Sequence, residues 1–157
     1  MGLNLRRVPI AGWTQCVHEA ATFDSRAEYG VALLLDSAKA LEWWARNDPP
    51  FLRIPSAIGY MEPDFVYKRK DQDVYGALEV KGGIFWNGSE SDAQIKARSA
   101  VEWVKAANTS SLAVGWEFIE VLEDDALKAQ SFEELHKVAV VAEPAPPSSG
   151  VARADTK

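Results

Sequence analysis

The sequence predicts an α/β domain, and three observations carry that prediction. Residues 25–39 show apolar spacing of helical period behind an N-terminal capping signature. Residues 58–69 and 74–82 are β-rich segments around the polar turn Lys70-Asp71-Gln72-Asp73, the pattern of a hairpin. A second helical segment over 92–108 is followed by another β-rich stretch over 111–121. Helices and strands thus alternate rather than segregate.

Taken in order, residues 1–22 form an extension with apolar side chains but no clean period, irregular with room for one strand. Ser25 with Glu28 three residues on forms a capping box, and Val31, Leu34 and Leu35 supply the apolar face of the first helix. Residues 40–47 read as a strand stopped by Asp48-Pro49-Pro50. The hairpin follows, then a Gly-rich loop over 82–91. The helix over 92–108 puts Ile95, Ser99, Trp103 and Ala106 near one face. After the strand at 111–121, Ser131 and Glu134 repeat the capping pattern ahead of a short last helix. From Ala142 the chain is rich in Pro, Ser and Ala and reads as a disordered tail, so the folded domain spans about 23–141.

At 157 residues the chain fits one domain and leaves no room for a separate cofactor module. A hydrophobic fraction of 47% can build a core, which excludes global disorder. The single cysteine, Cys16, excludes a disulfide scaffold and a multi-cysteine zinc site. No apolar run approaches the roughly 18 residues of a membrane span, and there is no signal-peptide core. A reducing, cytoplasmic setting without membrane partners is the expectation. Net charge is −6, which speaks against duplex DNA, since binding there is driven by basic patches. That charge is unevenly spread. Residues 1–110 carry 13 basic and 14 acidic side chains, and residues 111–157 carry 4 and 9. The C-terminal acids, including Glu117, Glu120, Glu123, Asp124 and Asp125, read as a solvated strand end and a polar helix face.

The hairpin holds most of the functional information. With its turn centred between Asp71 and Gln72, Asp64 lies across from Glu79, Glu62 from Lys81 and Val66 from Ala77. Alternation then puts Glu62, Asp64, Glu79 and Lys81 on one face and Phe65, Leu78 and Val80 on the other, in the core. Two carboxylates about 5 Å apart repel by roughly 3 kcal/mol at an effective dielectric near 20. Lys81 offsets this only in part. Ordinary surface salt bridging is one explanation, and a divalent cation is a fuller one, because Mg²⁺ takes oxygen ligands from one or two carboxylates plus water and phosphate.

Pro63-Asp64 and Glu79-Val80-Lys81, with 14 residues between the two acids, have the form P-D…E-x-K. This resembles the PD-(D/E)XK nuclease superfamily. Around it lie Ser25-Arg26-Ala27-Glu28, Trp44-Ala45-Arg46-Asn47 and Tyr60-Met61-Glu62-Pro63-Asp64-Phe65, with Asp92, Lys96 and Trp103 on the second helix. The series is most similar to the C-terminal nuclease region of type III restriction enzymes and helicase-linked nucleases, and covers residues 23–108. The resemblance implies a mixed β-sheet flanked by helices, with an αβββαβ core like that of restriction endonucleases. It further implies a Mg²⁺-dependent DNA endonuclease, with Mn²⁺ able to substitute, in which Asp64 and Glu79 hold the metal and the Val80 carbonyl is a further ligand. Lys81 would then orient the attacking water or stabilise the charged transition state. Glu28 matches the helix acid that often completes such a site, and equally serves its own capping box. Lys96 reads either as a contact to a DNA phosphate or as a surface lysine, and Trp103 as core or as a base-stacking platform. Arg46 and Asn47 would position backbone or substrate, and Glu62 reads as a salt-bridge partner or a solvated acid rather than as a ligand. His18 and His136 have no metal-ligand spacing. No helicase motor fits this length, so a helicase, an ATPase or another subunit is an expected partner, as is a second copy for double-strand cleavage. The rival expectation is a catalytically weak module on the same fold that binds DNA or docks onto such a partner.

Overall fold

The computed structural model describes residues 4–110 and 114–148. Two short strands, β1 (Ile10–Ala11) and β2 (Ala20–Ala21), pair antiparallel near the N-terminus. Leu5, Ile10 and Trp13 pack on the main core, and the Trp13 ring meets Trp44 edge-on at 5.0 Å. Residues 4–22 are therefore bound into the body of the protein. Helix α1 (Arg26–Ser37) opens as predicted: the Ser25 hydroxyl accepts from the Glu28 N–H, and Glu28 accepts in return from the Ser25 N–H.

Strand β3 (Leu41–Arg46) fills the segment read as a strand. The next prediction fails in part. Residues 58–69 do not form one strand: β4 (Ile54–Ser56) and β5 (Gly59–Met61) make a separate small hairpin, and β6 begins only at Phe65 (Phe65–Arg69). Pro63, which has no N–H to give a ladder, lies in the break. Strand β7 (Val74–Lys81) then pairs antiparallel with β6 in the predicted register, Val66 opposite Ala77 and Phe65 opposite Leu78. Extending that register by one residue sets Asp64 across from Glu79. Glu62 lies beyond the ladder and does not pair with Lys81.

A four-residue helix, α2 (Gly83–Trp86), occupies part of the predicted loop, and α3 (Asp92–Thr109) follows with Ser91 as its cap. The chain returns as β8 (Gly115–Leu122), parallel to β7. A long connection through a helix is what parallel pairing requires. Residues 111–113 of the predicted strand lie outside the described residues. Helix α4 (Glu123–Lys128) follows at once, with Glu123, Asp124 and Asp125 in its first turn, where negative charge is favourable. Helix α5 (Phe132–Lys137) is capped by Ser131. The start of the predicted tail lies along α3, with the Glu143 N–H donating to Gln94 Oε1 at 2.7 Å and Arg98 donating to the Glu143 carbonyl at 3.0 Å.

The result is a central mixed sheet of order β3-β6-β7-β8 flanked by helices. One face, with Phe65, Tyr67, Leu78, Val80, Ile119 and Val121, packs on Val31 and Leu35 of α1 and on Ala126, Phe132 and Leu135 of α4 and α5. The other is covered by α3 and the β4–β5 hairpin, through Ile54, Met61 and Ala100. Among the described residues, no helix is long and apolar enough to cross a membrane. The cross-strand pair Tyr67–Gly76 fixes the hairpin, because the Tyr67 ring lies flat in the space that a Cβ at residue 76 would fill. Gly76→Ala should therefore cost about 1–3 kcal/mol or more of stability in chemical denaturation, since the buried ring cannot move aside.

Candidate functional site

Carboxyl groups and two cations gather where the sheet strands end. Arg46 is the last residue of β3, Asp64 immediately precedes β6, and Glu79 and Lys81 close β7. Glu120 comes from β8, and Glu28 from the first turn of α1.

Arg46 is buried, 4% exposed. Its Nη2 is 3.3 Å from Glu28 Oε2, and its Nη1 is 3.4 Å from Asp64 Oδ1 and donates to the Asp64 carbonyl at 3.0 Å. Its Nε donates to the Thr22 carbonyl at 3.1 Å. The guanidinium also lies against the rings of Phe23 and Phe65, 5.6 and 5.1 Å from their centroids. Asn47 beside it is buried and works on backbone: its Nδ2 donates to the carbonyls of Leu52 and Pro63, and its Oδ1 accepts from the N–H groups of Phe51 and Leu52. Its own N–H donates to the Asp64 carbonyl at 2.9 Å. Of the two roles open to Arg46 and Asn47, both take the holding of the Pro63-Asp64 segment.

The Asp64 carboxylate bridges to β7, its Oδ2 accepting from the Val80 N–H at 2.8 Å. Val80 thus touches Asp64 through its amide. Lys81 Nζ is 3.1 Å from Glu79 Oε1. Parallel pairing sets Glu79 directly beside Glu120, both in the interior at 7% and 1% exposure. The Oε2 atoms of these two glutamates have no hydrogen-bond partner. Glu120 was counted with the solvated acids from sequence, and that reading is overturned. The signal against it was a glutamate inside the apolar run Phe118-Ile119-Glu120-Val121-Leu122. Glu117 is not merely solvated either, since it accepts from the Tyr67 hydroxyl at 2.7 Å and pairs with Arg69 at 3.3 Å.

Burying these acids, and setting them beside one another, raises their affinity for protons. Burial, then the Glu79 charge, pushes Glu120 up to about 8. Burial, then the Asp64 charge, pushes Glu28 up to about 7, and burial, then the Glu79 charge, brings Asp64 to about 6. Burial also raises Glu79, against the pull of Lys81. For Lys81 burial works the other way, but the Glu79 carboxylate outweighs it and holds the ammonium above its usual value.

A cavity of about 230 Å³ opens over the acids on the α3 side, lined by Glu62, Glu79, Lys81, Lys96 and Glu120 among others. Lys96 is thus brought to the site from α3. Asp64 and Glu28 stand off the cavity wall, tied to Arg46. Glu62 reaches the rim but pairs with Arg53 at 2.8 Å. Trp103 packs edge-on against Trp116 at 4.9 Å, and His18 contacts the Arg46 carbonyl, both as structural parts. His136 lies 3.2 Å from Glu117, away from the cavity.

Among the described residues, no three His, Cys, Asp or Glu side chains are grouped so as to hold a metal ion by themselves. Mg²⁺ does not require such a cage, because it commonly takes one or two carboxylates and completes its shell with water and phosphate oxygens. The unpartnered Oε2 atoms of Glu79 and Glu120 fit that smaller demand. Compared with protein-family models, with curated proteins and with solved structures, the chain matches none.

Two outcomes follow from the electrostatics. Arg46→Met leaves buried carboxylates uncompensated and should cost about 3–5 kcal/mol near neutral pH, measured by chemical denaturation. The loss should shrink below about pH 5, where the carboxyls are neutral. Glu120 has its folded pKa raised, so its stabilising contribution is complete in acid and is lost as pH rises from about 5 through about 8. Glu120→Gln should match the wild type near pH 4 and exceed it by roughly 2–4 kcal/mol near pH 8.5 in metal-free buffer. Two parallel pH profiles would contradict this placement of Glu120.

Proposed function

We propose that the protein is a Mg²⁺-dependent DNA endonuclease of the PD-(D/E)XK type, built on a restriction-endonuclease-like αβββαβ core and working in the cytoplasm. The observation that carries this reading is the joining of Asp64 to the strand of Glu79 and Lys81. The Asp64 carboxylate bonds the Val80 amide, between Glu79 with its unpartnered oxygen and Lys81 with its ammonium 3.1 Å from Glu79. The order α1, β3, β6, β7, α3, β8 supports the core assignment.

Asp64 and Glu79 would hold the metal, with the Val80 carbonyl as a further ligand and Glu120 and Glu28 as supporting acids. When bound, the ion supplies a lowered pKa for water and offsets charge on the scissile phosphate. The chain's own part is positional. Arg46 and Asn47 fix the Asp64 backbone, so its carboxylate does not swing away from β7. Lys81 presents a compact ammonium to the phosphate oxygens or the attacking water, and Lys96 adds a second cation from α3. Water adds at phosphorus and gives up a proton, the bond to the leaving sugar oxygen breaks, and that oxygen takes a proton from solvent, so that the products are a phosphate monoester and a free hydroxyl. The net charge of −6 predicts weak unaided affinity for DNA, hence a helicase-type or other partner, or a second copy, that brings the substrate in.

A second reading, a catalytically weak module that binds DNA or docks onto a partner, draws on the tie of Asp64 to Arg46. Supercoiled plasmid with Mg²⁺ or Mn²⁺ tests both. Wild type should nick it, and Asp64→Ala and Lys81→Ala should each lower the rate at least about a hundredfold. Nicking that persists in both variants would sink the nuclease reading. A calorimetric titration showing a folded protein that takes up neither ion would favour the module.

A further inference from the structure

Immediately beyond Lys81 the chain does something costly. Helix α2 has no buried residue, and its Ile84 and Phe85 are 81% and 68% exposed. These large apolar side chains add little to the core, yet the turn that carries them is anchored at its end. The Trp86 carbonyl accepts from Gln94 Nε2 at 3.0 Å and from Ser91 Oγ at 3.3 Å, and Gln94 is fully buried. The Phe85 ring rests over the backbone of Gly82, where an added Cβ would come within 3.2 Å of its Cδ2. The exposed ring of Phe85 is thus seated over Gly82, the residue that follows the candidate catalytic lysine.

Ile84 and Phe85 form one side of a cavity of about 380 Å³ between α2 and the first turn of α3. Lys81 and Lys96 line it too, and both also line the cavity over Glu79 and Glu120. The apolar platform is therefore continuous with the candidate site through two ammonium groups. Asp92 lies on the same wall, Glu123 Oε2 lies beside Gly82 and Lys81 is already paired with Glu79 at 3.1 Å, so the attraction for an anion rests chiefly on Lys96, supported by Lys81, and not on the helix end. An occupant that matches this wall has a flat apolar part and a flanking negative charge, which is the chemistry of a nucleotide. In a duplex the base is already stacked, and parting one step costs a few kcal/mol. In a single strand it is free, and every base offers a π-face.

We propose that Phe85 and Ile84 form a stacking platform for an unpaired nucleobase beside the phosphate met by Lys81 and Lys96, making single-stranded or locally unpaired DNA the substrate class. This deepens the nuclease reading and rests on it for the placement of the phosphate.

The test is fluorescence anisotropy of a labelled single-stranded oligonucleotide and of its duplex, without divalent ions and at about 50 mM salt. Wild type should bind the single strand more tightly than the duplex. Phe85→Ala should weaken single-strand binding roughly fivefold to a hundredfold, and Phe85→Tyr should keep it within about twofold. A 2-aminopurine base in the strand should be quenched by wild type and not by Phe85→Ala. Because Phe85 is exposed, the variant keeps the fold, which circular dichroism checks. Equal single-strand binding by wild type and Phe85→Ala, or a wild-type preference for duplex, overturns the platform. So does a Phe85→Ala variant that alters only self-association, which would assign the patch to a protein interface. The two readings fail separately. Plasmid nicking that survives Asp64→Ala and Lys81→Ala removes the nuclease, while Phe85-dependent binding still supports the platform. Loss of nicking in those variants with Phe85-independent binding does the reverse.

Discussion

Everything at the open end of the sheet depends on the guanidinium of Arg46. It lies against the rings of Phe23 and Phe65 and faces Glu28 and Asp64, so it brings a full positive charge into the interior. A buried charge is tolerable only when paired and hydrogen-bonded on several sides. Arg46 meets that condition by reaching three chain segments: the Thr22 carbonyl before α1, Glu28 within it, and Asp64 before β6. A planar fork of donors can do this, and the point charge of lysine cannot.

The sheet topology supplies the rest. Antiparallel pairing brings Asp64 to β7, and parallel pairing of β7 with β8 brings Glu120 to Glu79. Each carboxylate comes from a different element, and the strand ends hold them at distances that free side chains would avoid. Their burial, and after it their mutual repulsion, appears as raised proton affinity rather than as unfolding. A site of this kind favours any condition that supplies positive charge from outside, whether protons or a cation.

Much of this was legible in the chain, for identifiable reasons. Ser25 and Glu28 marked α1 because a capping box is a local signal. The 70–73 turn set the hairpin register, which places Asp64 opposite Glu79, because polar residues between two β-rich runs leave little choice. The break at 62–64 was not legible, since whether Tyr60 continues one strand or joins β4 is decided by tertiary packing on α3. The role of Arg46 does not show in the chain, because its partners come from segments up to 24 residues away. Glu120 was misread because a charge run looks solvated until the parallel partner strand is known. Helix α2 left no periodic trace, being a single turn.

The capping box of α1 has a wider meaning than helix initiation. One oxygen, Glu28 Oε2, accepts from the amides of Asp24 and Ser25 and also faces the Arg46 guanidinium. The atom that starts the helix is therefore also a wall of the charged cluster. Fraying of the first turn of α1 therefore costs the Arg46–Glu28 pair as well as the cap, and a shift of Arg46 removes one partner of the oxygen that caps that turn. The start of the helix and the charge cluster share an atom, although they involve residues that are distant along the chain.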